Sequence, residues 1–397
     1  MNTEPSFDPS APLPGPPEPW AYAPTPSRRD GPPYHMTDMI AAEPAVARRI
    51  IARVAASADG AALAAAVRAA VGAGTPIVVT GCGTSETAAM GIVEILRDAL
   101  SAAGSRGATV RSEQAFELAL DPPTGGLVIG ITHEGGTGAT NAALRAARDA
   151  GARTAVLTVS RRSPAGGIAE IVVETGELDQ SWCHTIGYVS PMLAATAVGA
   201  SVSGREVDAD CVAAFLAAGA RDETAAERIA GHLATATHLL AIGSGADRAA
   251  GRELTLKVEE ASWIPSAYRD LETFLHGHLP ATGPDSGLVL VFTDRVRRDQ
   301  RLARARQALA AAQVVGIRAA AILAAELDAE LPPDLTPAGR LLVGDEPLLP
   351  APVAALLGTA TPLQLLTERI ARARGTNPDQ IRRDDPTYRN AADAAGG

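Results

Sequence analysis

Three charged side chains recur at helical spacing in the second half of the chain. Glu253, Lys257 and Glu260 stand at positions i, i+4 and i+7, so their side chains share one face of a helix. A carboxylate there can accept a proton and return it to a substrate, and a neighbouring lysine favours its ionised form. The same spacing also fits a simple ion pair between Glu253 and Lys257, which stabilises a helix by about 0.2–0.5 kcal/mol.

Two turns rich in glycine and hydroxyl side chains could bind a ligand. Each follows a short aliphatic run and precedes a helical pattern. The first turn contains Gly83, Thr84 and Ser85, and the second contains Thr132, Gly135 and Thr137. Turns after two strands of one parallel sheet lie in one crevice at its carboxyl edge, where free N–H groups bind anions. The pair predicts an anion or polyol site, although Ser85 capping an ordinary helix is the alternative.

Metal and nucleotide sites are not predicted. His276 and His278 form an H-x-H pair, but no further ligand stands at matching spacing. Neither a G-x-G-x-x-G fingerprint nor a P-loop occurs, so we expect no cofactor. The three cysteines, Cys82, Cys183 and Cys211, have no C-x-x-C spacing, which argues against a disulfide framework or structural zinc and favours a reducing compartment.

Composition narrows the class of protein. The 397 residues are 46% hydrophobic and carry a net charge of −10, which supports a buried core and argues against binding to nucleic acid or to a membrane surface. No targeting signal or membrane span is evident in the sequence. We therefore expect a cytoplasmic protein. The proline-rich residues 1–34 predict a disordered leader.

Strand and helix patterns alternate along the rest of the chain, which is typical of a parallel sheet covered by helices on both faces. An entry helix over 35–54 precedes two copies of a strand, glycine-turn and helix design. The copies extend over 55–205 and 225–372, and a C-terminal tail follows over 373–397. The predicted fold is thus α/β with two similar domains in tandem.

Several segments together resemble the tandem sugar isomerase (SIS) domain proteins, and most of all the isomerase half of glutamine–fructose-6-phosphate aminotransferase. They are GCGTSE, the T-x-x-G-x-T turn over 132–137, and GSGADRAAGRELTLKVEEAS with the later FLHG. MTDMIAAEP near the start and TPLQLLTERIARARGTNPDQIRRD near the end also resemble that family. The resemblance extends over about residues 36–385. It implies two SIS domains, each a doubly wound, flavodoxin-like parallel sheet.

The resemblance also implies a substrate class, phosphorylated keto or amino sugars, and roles for particular residues. Glu260 falls on the glutamate that moves a proton between C1 and C2, Lys257 and Glu253 on its companions, and His276 on the histidine linked to ring opening. The family's phosphate-binding positions fall on Thr84, Ser85, Thr132, His133, Glu134, Gly135 and Thr137. The segment 180–191 stands in place of a loop that contacts sugar hydroxyls, with Ser181, Cys183, His184 and Thr185 as candidates. Core packing is the alternative for Cys183 and Trp182.

Three departures from the family pattern bear on function. No glutaminase domain is expected, so glutamine hydrolysis is excluded. The tail IRRDDPTYRNAADAAGG lacks the family's Schiff-base lysine, and arginine stays protonated and cannot replace it. Glu134 stands where the family has a phosphate-binding serine, and a carboxylate repels phosphate unless a cation neutralises it.

Three functions remain open from the sequence. The first is an aldose–ketose isomerase or an amino-sugar-phosphate isomerase/deaminase, the second a glutamine-independent aminotransferase-like enzyme or fructosamine-phosphate deglycase, and the third a sugar-phosphate sensor without turnover. We expect a homodimer with the site near the subunit interface. One ligand per chain is predicted, because the second copy has Asp294 and no glycine in its counterpart turn.

Overall fold

Two five-stranded sheets, all of whose strands are parallel, form the framework of the computed structural model, which describes residues 7–13, 20 and 27–395. The first sheet has the order β2-β1-β3-β4-β5 and the second β10-β9-β8-β6-β7. The strands of the first sheet are β1 (Ile77–Gly81), β2 (Val110–Gln114), β3 (Leu127–Ile131), β4 (Arg153–Thr158) and β5 (Ile171–Glu174). Those of the second are β6 (His238–Gly243), β7 (Ser266–Asp270), β8 (Ser286–Phe292), β9 (Arg318–Ala324) and β10 (Gly339–Val343).

Helices cover both faces of the sheets, which explains why the central strands β1, β3 and β8 are buried along their whole length. The helices around the first sheet are α1 (His35–Ala56), α2 (Ala58–Gly72), α3 (Thr84–Ala102), α4 (Ala115–Leu120), α5 (Gly138–Asp149), α6 (Ile186–Ser203) and α7 (Ala209–Gly219). Those that follow are α8 (Glu223–Leu233), α9 (Asp247–Ser262), α10 (Leu271–Thr273), α11 (Arg298–Val315), α12 (Ala351–Arg374) and α13 (Pro386–Ala394). The predicted α/β fold with parallel sheets is confirmed, while the domain boundaries stay a prediction.

Helix α6 is apolar on every side and packs against α1, α2 and α3 in the main core. It is the one described helix that is long and apolar enough by itself to cross a membrane, but 83% of it is buried inside the protein. A bent pair formed by α1 and α2 passes the same test only when taken together. Both α1 and α2 also contribute many residues to the main core.

The parts of the chain built on the two sheets meet through helices. Helix α12 packs on α7, α8 and α9, and α3 contacts α9 directly. Because α3 follows β1 of the first sheet and α9 follows β6 of the second, this contact brings the first glycine turn next to the Glu253–Lys257–Glu260 helix. The candidate site is built at this junction.

The described residues of the expected leader pack against the protein. Leu13 is buried, its N–H donates to Glu177 at 3.0 Å, and Arg49 joins the same carboxylate to the Ser10 carbonyl. These contacts differ from the disordered leader predicted for 1–34. The buried Glu177 carboxylate accepts hydrogen bonds from both Leu13 of the leader and Arg49 of α1, and so ties the two together. Residues 1–6, 14–19 and 21–26 of that prediction lie outside the described part.

The connection between α9 and β8 contains strand β7. β7 pairs with β6 at the edge of the second sheet, and each of its five residues is only partly buried. A half-buried edge strand needs no apolar run, so the sequence SAYRD gives little sign of it.

Candidate active site

A cavity of about 300 Å³ lies at the carboxyl edge of the first sheet, where its two glycine turns meet α9 and the C-terminal segment. We call it the first crevice. Its lining residues are Cys82, Gly83, Thr84, Ser85, His133, Glu134, Thr137, Trp182, His184, Gly187, Glu260, Ile381 and Arg383. The two turns therefore converge on one crevice, as their positions after β1 and β3 predict.

The first turn is shaped by Gly83, which has φ +57° at the residue before α3. Its carbonyl accepts the N–H groups of Glu86 and Thr87 and so starts the helix. Ser85 lines the crevice, and its hydroxyl makes no hydrogen bond within the described chain. Ser85 is thus placed to meet a ligand at the positive end of α3.

Thr84 lines the crevice too, but its hydroxyl is already engaged by α9. It donates to Glu253 at 3.1 Å and accepts from the Lys257 ammonium at 2.8 Å. Thr87 also donates to Glu253. We call Glu253, Lys257, Glu260, Thr84 and Thr87 the Lys257 cluster. Its two threonines link the first glycine turn to the helix of the second sheet.

Lys257 is fully buried between two carboxylates of its own helix. Its Nζ lies 2.7 Å from Glu260 Oε2 and 3.4 Å from Glu253 Oε1. Burial disfavours the ammonium, but the adjacent Glu260 and Glu253 carboxylates outweigh it and raise the pKa of Lys257 above its usual range. Burial raises the pKa of Glu253, and Lys257 opposes that rise. Lys257 therefore stays charged and holds both carboxylates in place.

Of Glu253, Lys257 and Glu260, it is Glu260 that reaches the crevice. Its side chain is 23% exposed, whereas those of Glu253 and Lys257 are fully buried. Glu259 lies on another side of α9, where its carboxylate accepts the N–H of Ser266 at 2.9 Å. The helix thus presents one carboxylate, anchored by an ammonium, to whatever occupies the crevice.

In the second turn, the predicted residues divide into those that shape the turn and those that line the crevice. Thr132 is buried and donates to the Thr137 hydroxyl at 3.3 Å. Gly135 has φ +80°, and a side chain there would meet Ser163 within 2.3 Å. His133, Glu134 and Thr137 line the crevice, so these three face a ligand.

A cluster of two histidines and Asp179 supports that turn. The Asp179 carboxylate accepts the N–H groups of Ser181, Thr185 and Gly187 at 2.7–3.0 Å. Its own N–H donates to His133 Nε2 at 2.9 Å, and His184 Nδ1 lies 3.5 Å from its Oδ2. Sequence reasoning missed Asp179, because a single aspartate before small polar residues indicates a turn and does not identify its partners.

The charges of this cluster follow from its neighbours. Burial and the nearby His184 lower the pKa of His133 to about 3, so His133 is neutral. Burial would also lower the pKa of His184, but the Asp179 carboxylate raises it above its usual value. Burial alone would raise the pKa of Asp179, whereas His184 and the N–H donors lower it to about 2. The cluster therefore pairs an ionised Asp179 with a His184 whose protonated form is favoured.

Cys183 and Thr185 do not reach the crevice. Cys183 is fully buried with its Sγ 3.9 Å from the Lys257 carbonyl, and burial raises its pKa well above the usual range. Thr185 is also buried and donates its N–H to Asp179. Trp182 and His184, which alternate with them, do line the crevice. Core packing, the alternative considered for Cys183, describes its position, whereas Trp182 faces the site.

His276 lies away from the first crevice, on a segment where its side chain is 69% exposed. Its Nε2 is 2.5 Å from Glu272, which also binds Arg304. Within the described chain, His276 therefore makes no contact with the other predicted catalytic residues.

Two residues from the C-terminal segment complete the crevice, and sequence reasoning did not include them. The Arg383 guanidinium lies 4.7 Å from the centre of the Trp182 ring, and Ile381 lines the wall beside it. The segment thus supplies an arginine, which cannot form a Schiff base. Nothing in an isolated RRDD sequence indicates that its second arginine folds back onto a tryptophan 201 positions earlier.

The carboxyl edge of the second sheet carries an open groove of about 690 Å³, which we call the second crevice. Three arginines line it, and each is paired with a carboxylate. The pairs are Arg248 with Asp270 at 2.7 Å, Arg301 with Asp294 at 2.6 Å and Arg304 with Glu272 at 2.5 Å. The charges of these three arginines are therefore already compensated by carboxylates. That the chain binds a single ligand stays a prediction.

No group of three or more His, Cys, Asp or Glu side chains in the described residues is placed to hold a metal ion. The chemistry available in the first crevice comes from one anchored carboxylate, one histidine that can carry a proton, and several hydroxyl groups. Such a set can transfer protons to and from a polyhydroxylated ligand.

Comparisons with known proteins identify the fold. No family model matches the sequence, and a comparison with curated proteins gives no significant match. Among solved structures, the chain is similar to the C-terminal domain of glucosamine-fructose-6-phosphate aminotransferase from Francisella tularensis, with a TM-score of 0.74, 19% identity, and coverage of 89% of this chain and 100% of that one.

Two further solved structures are similar at lower scores. For tagatose-6-phosphate ketose/aldose isomerase from Escherichia coli, the TM-score is 0.67 at 18% identity, covering 90% of this chain and 97% of that one. For glucosamine-6-phosphate deaminase from Thermotoga maritima, the values are 0.60 and 16%, with coverage of 77% and 87%. The chain thus has the fold of SIS-type sugar-phosphate isomerases and deaminases.

Proposed function

We propose that the chain is an enzyme of the sugar isomerase kind, which moves a proton between adjacent carbons of a keto or amino sugar bound in the first crevice. One observation carries the proposal: Glu260 is the carboxylate of α9 that faces the crevice, and a buried lysine 2.7 Å away fixes it there. A carboxylate held beside a cation remains ionised and can act as a base.

In the proposed reaction, Glu260 removes the proton from one of two adjacent carbons of the open-chain sugar and returns it to the other. The oxygens of those carbons exchange a proton at the same time, so no oxidant or reductant is needed. His184 lines the same crevice and is the titratable group able to give and take that second proton. Ser85 and Thr137 offer hydroxyl groups that orient the sugar.

Two features bear on the alternatives. The C-terminal segment brings Arg383 and no lysine to the crevice, which favours proton transfer over chemistry through a Schiff base. Whether ammonia is released depends on whether the sugar carries an amine. The homodimer and the role of His276 stay predictions.

The test replaces Glu260 by glutamine, which keeps the size of the side chain and removes the base. We expect exchange of the C1 and C2 protons with D₂O, followed by NMR on fructose, glucosamine and their 6-phosphates, to slow by roughly 10²–10⁴-fold. Ligand binding should persist.

Glu259→Gln is the matched control, because Glu259 is adjacent in sequence and lies outside the crevice. It should exchange at the wild-type rate. Loss of exchange in Glu259→Gln with retention in Glu260→Gln would overturn the assignment of the base. Full binding in all three proteins without exchange above the uncatalysed rate would favour a sugar sensor.

A further inference from the structure

Glu134 is a carboxylate in the first crevice that the proposed reaction does not use. It lies in the second turn, is partly buried, and lines the cavity. Burial raises its pKa, with His184 and Asp179 as the charged groups that act on it. In the described part of the chain, no hydrogen bond or ion pair to its side chain occurs. Its carboxylate oxygens are therefore free to accept hydrogen bonds from a ligand in the crevice.

The charges around Glu134 do not suit an anionic ligand. Asp179 is ionised, its partner His184 tends to be protonated, and His133 is neutral. His184 compensates Asp179, with which it is in direct contact, so the charge of Glu134 remains. Of the other cations, Lys257 lies between Glu253 and Glu260, and Arg383 lies over the Trp182 ring at the wall that the C-terminal segment forms.

The neighbouring groups suit sugar hydroxyls. Thr137 and Ser85 are neutral, line the same cavity, and can both donate and accept. A carboxylate accepts from hydroxyl groups through two oxygens, so Glu134 can bind two hydroxyls at once. The second turn thus places a carboxylate where a phosphate would need positive charge.

We infer that the substrate is an unphosphorylated keto or amino sugar, whose terminal hydroxyl groups donate to Glu134. This inference rests on the proposed function, since it concerns the ligand of the same crevice. It departs from the phosphorylated substrate that the family resemblance implies. Glu134 acts as a specificity residue: it binds the hydroxyl end of the sugar and repels a phosphate dianion at that place.

The experiment measures calorimetric affinity of the full chain for D-fructose and D-glucosamine and for their 6-phosphates. Wild type should bind each free sugar at least about tenfold more tightly than its phosphate. Glu134→Ser, which replaces the carboxylate by a neutral hydroxyl, should shift that ratio toward the phosphate by about 100-fold, the size expected for removing a like charge. Glu134→Gln should shift it in the same direction.

Glu117→Gln is the control, because Glu117 is an exposed glutamate on α4 outside the crevice. It should leave the ratio unchanged. If Glu134→Ser fails to fold, as judged by its circular dichroism and melting temperature, Glu134→Gln provides the same comparison with a side chain of nearly the same shape.

The outcomes separate this inference from the proposed function. Tighter wild-type binding of the 6-phosphates, or a ratio unaffected by both Glu134 variants, overturns the inference even when proton exchange occurs. Preference for free sugars without proton exchange supports the inference and overturns the proposed enzyme. Failure of wild type and both variants to bind any of the four sugars overturns both.

Discussion

The carboxyl edges of the two sheets have similar backbone turns but different side chains. In each, a central strand is followed by a glycine at positive φ, Gly83 after β1 and Gly245 after β6. In the second crevice every arginine of the groove is paired with a carboxylate. In the first crevice, Glu134 and the Ser85 hydroxyl have no such partner among the described residues. A glycine turn therefore provides a place for a ligand, and unsatisfied side chains make it a site.

The largest expected effect comes from the difference in burial between the ion pairs of the two regions. Lys257→Met removes a fully buried ammonium and leaves Glu253 buried without its counterion, which should lower the free energy of unfolding by about 3–5 kcal/mol. Arg248→Met in the second crevice removes a partly exposed ion pair and should cost less than about 1 kcal/mol. Urea denaturation measures both values, and equal losses would contradict the difference drawn between the two regions.

The next effect uses pH to compare two buried aspartates, Asp179 beside the first crevice and Asp247 beside the second. The pKa of Asp179 is lowered from 3.8 to about 2, so its charged form stabilises the fold above pH 4, and that contribution is lost as pH falls toward 2. The pKa of Asp247 is raised to about 6 by burial, against hydrogen bonds from Asp294 and Thr293. Its protonated form therefore stabilises the fold below pH 4, and that contribution is lost as pH rises through 6.

Aspartate-to-asparagine variants at the two positions should thus respond to pH in opposite ways. The stability advantage of wild type over Asp179→Asn should grow by about 2 kcal/mol between pH 2 and 5, and that over Asp247→Asn should shrink by about 3 kcal/mol between pH 4 and 7. Urea titrations across this range provide the measurement. Parallel pH profiles would show that the two carboxylates have equivalent surroundings.

The smallest expected effect concerns one arginine from each crevice. Arg383→Ala removes a guanidinium that lines the first crevice, and the loss of one charged hydrogen bond should weaken sugar binding by about tenfold. Arg304→Ala removes a guanidinium already bonded to Glu272 and Gln307 in the second crevice, and sugar affinity should not change. Calorimetry with whichever sugar binds wild type distinguishes them, and a weaker Arg304→Ala would relocate the site.

Local patterns predicted the framework and part of the site. The buried strands β1 and β3 are short apolar runs, and the spacing of Glu253, Lys257 and Glu260 gives their common face on α9 directly. Both features depend on neighbours in sequence, where the period of the element decides which side chains lie together.

The rest depended on contacts between residues distant in sequence. Asp179 acquires its importance from three N–H groups and two histidines, and Arg383 from a tryptophan in another loop. His276 follows β7, the edge strand of the second sheet, and it pairs with Glu272 and not with a residue of the first crevice. Cys183 and His184 are adjacent, yet one is buried and the other faces the cavity, which spacing in an irregular loop does not reveal.

The lining of the first crevice extends from Cys82 to Arg383, and this has a consequence for folding. Its walls come from two glycine turns, a loop, a helix of the second sheet and the C-terminal segment. Contacts between such distant residues form slowly, because long loops must close first. A partly folded chain therefore has no complete pocket, and a ligand of this crevice, free at 100 times its Kd, should add about 2.7 kcal/mol of stability to the fully folded molecule alone. Ligand binding at this crevice is thus expected to report the completion of folding.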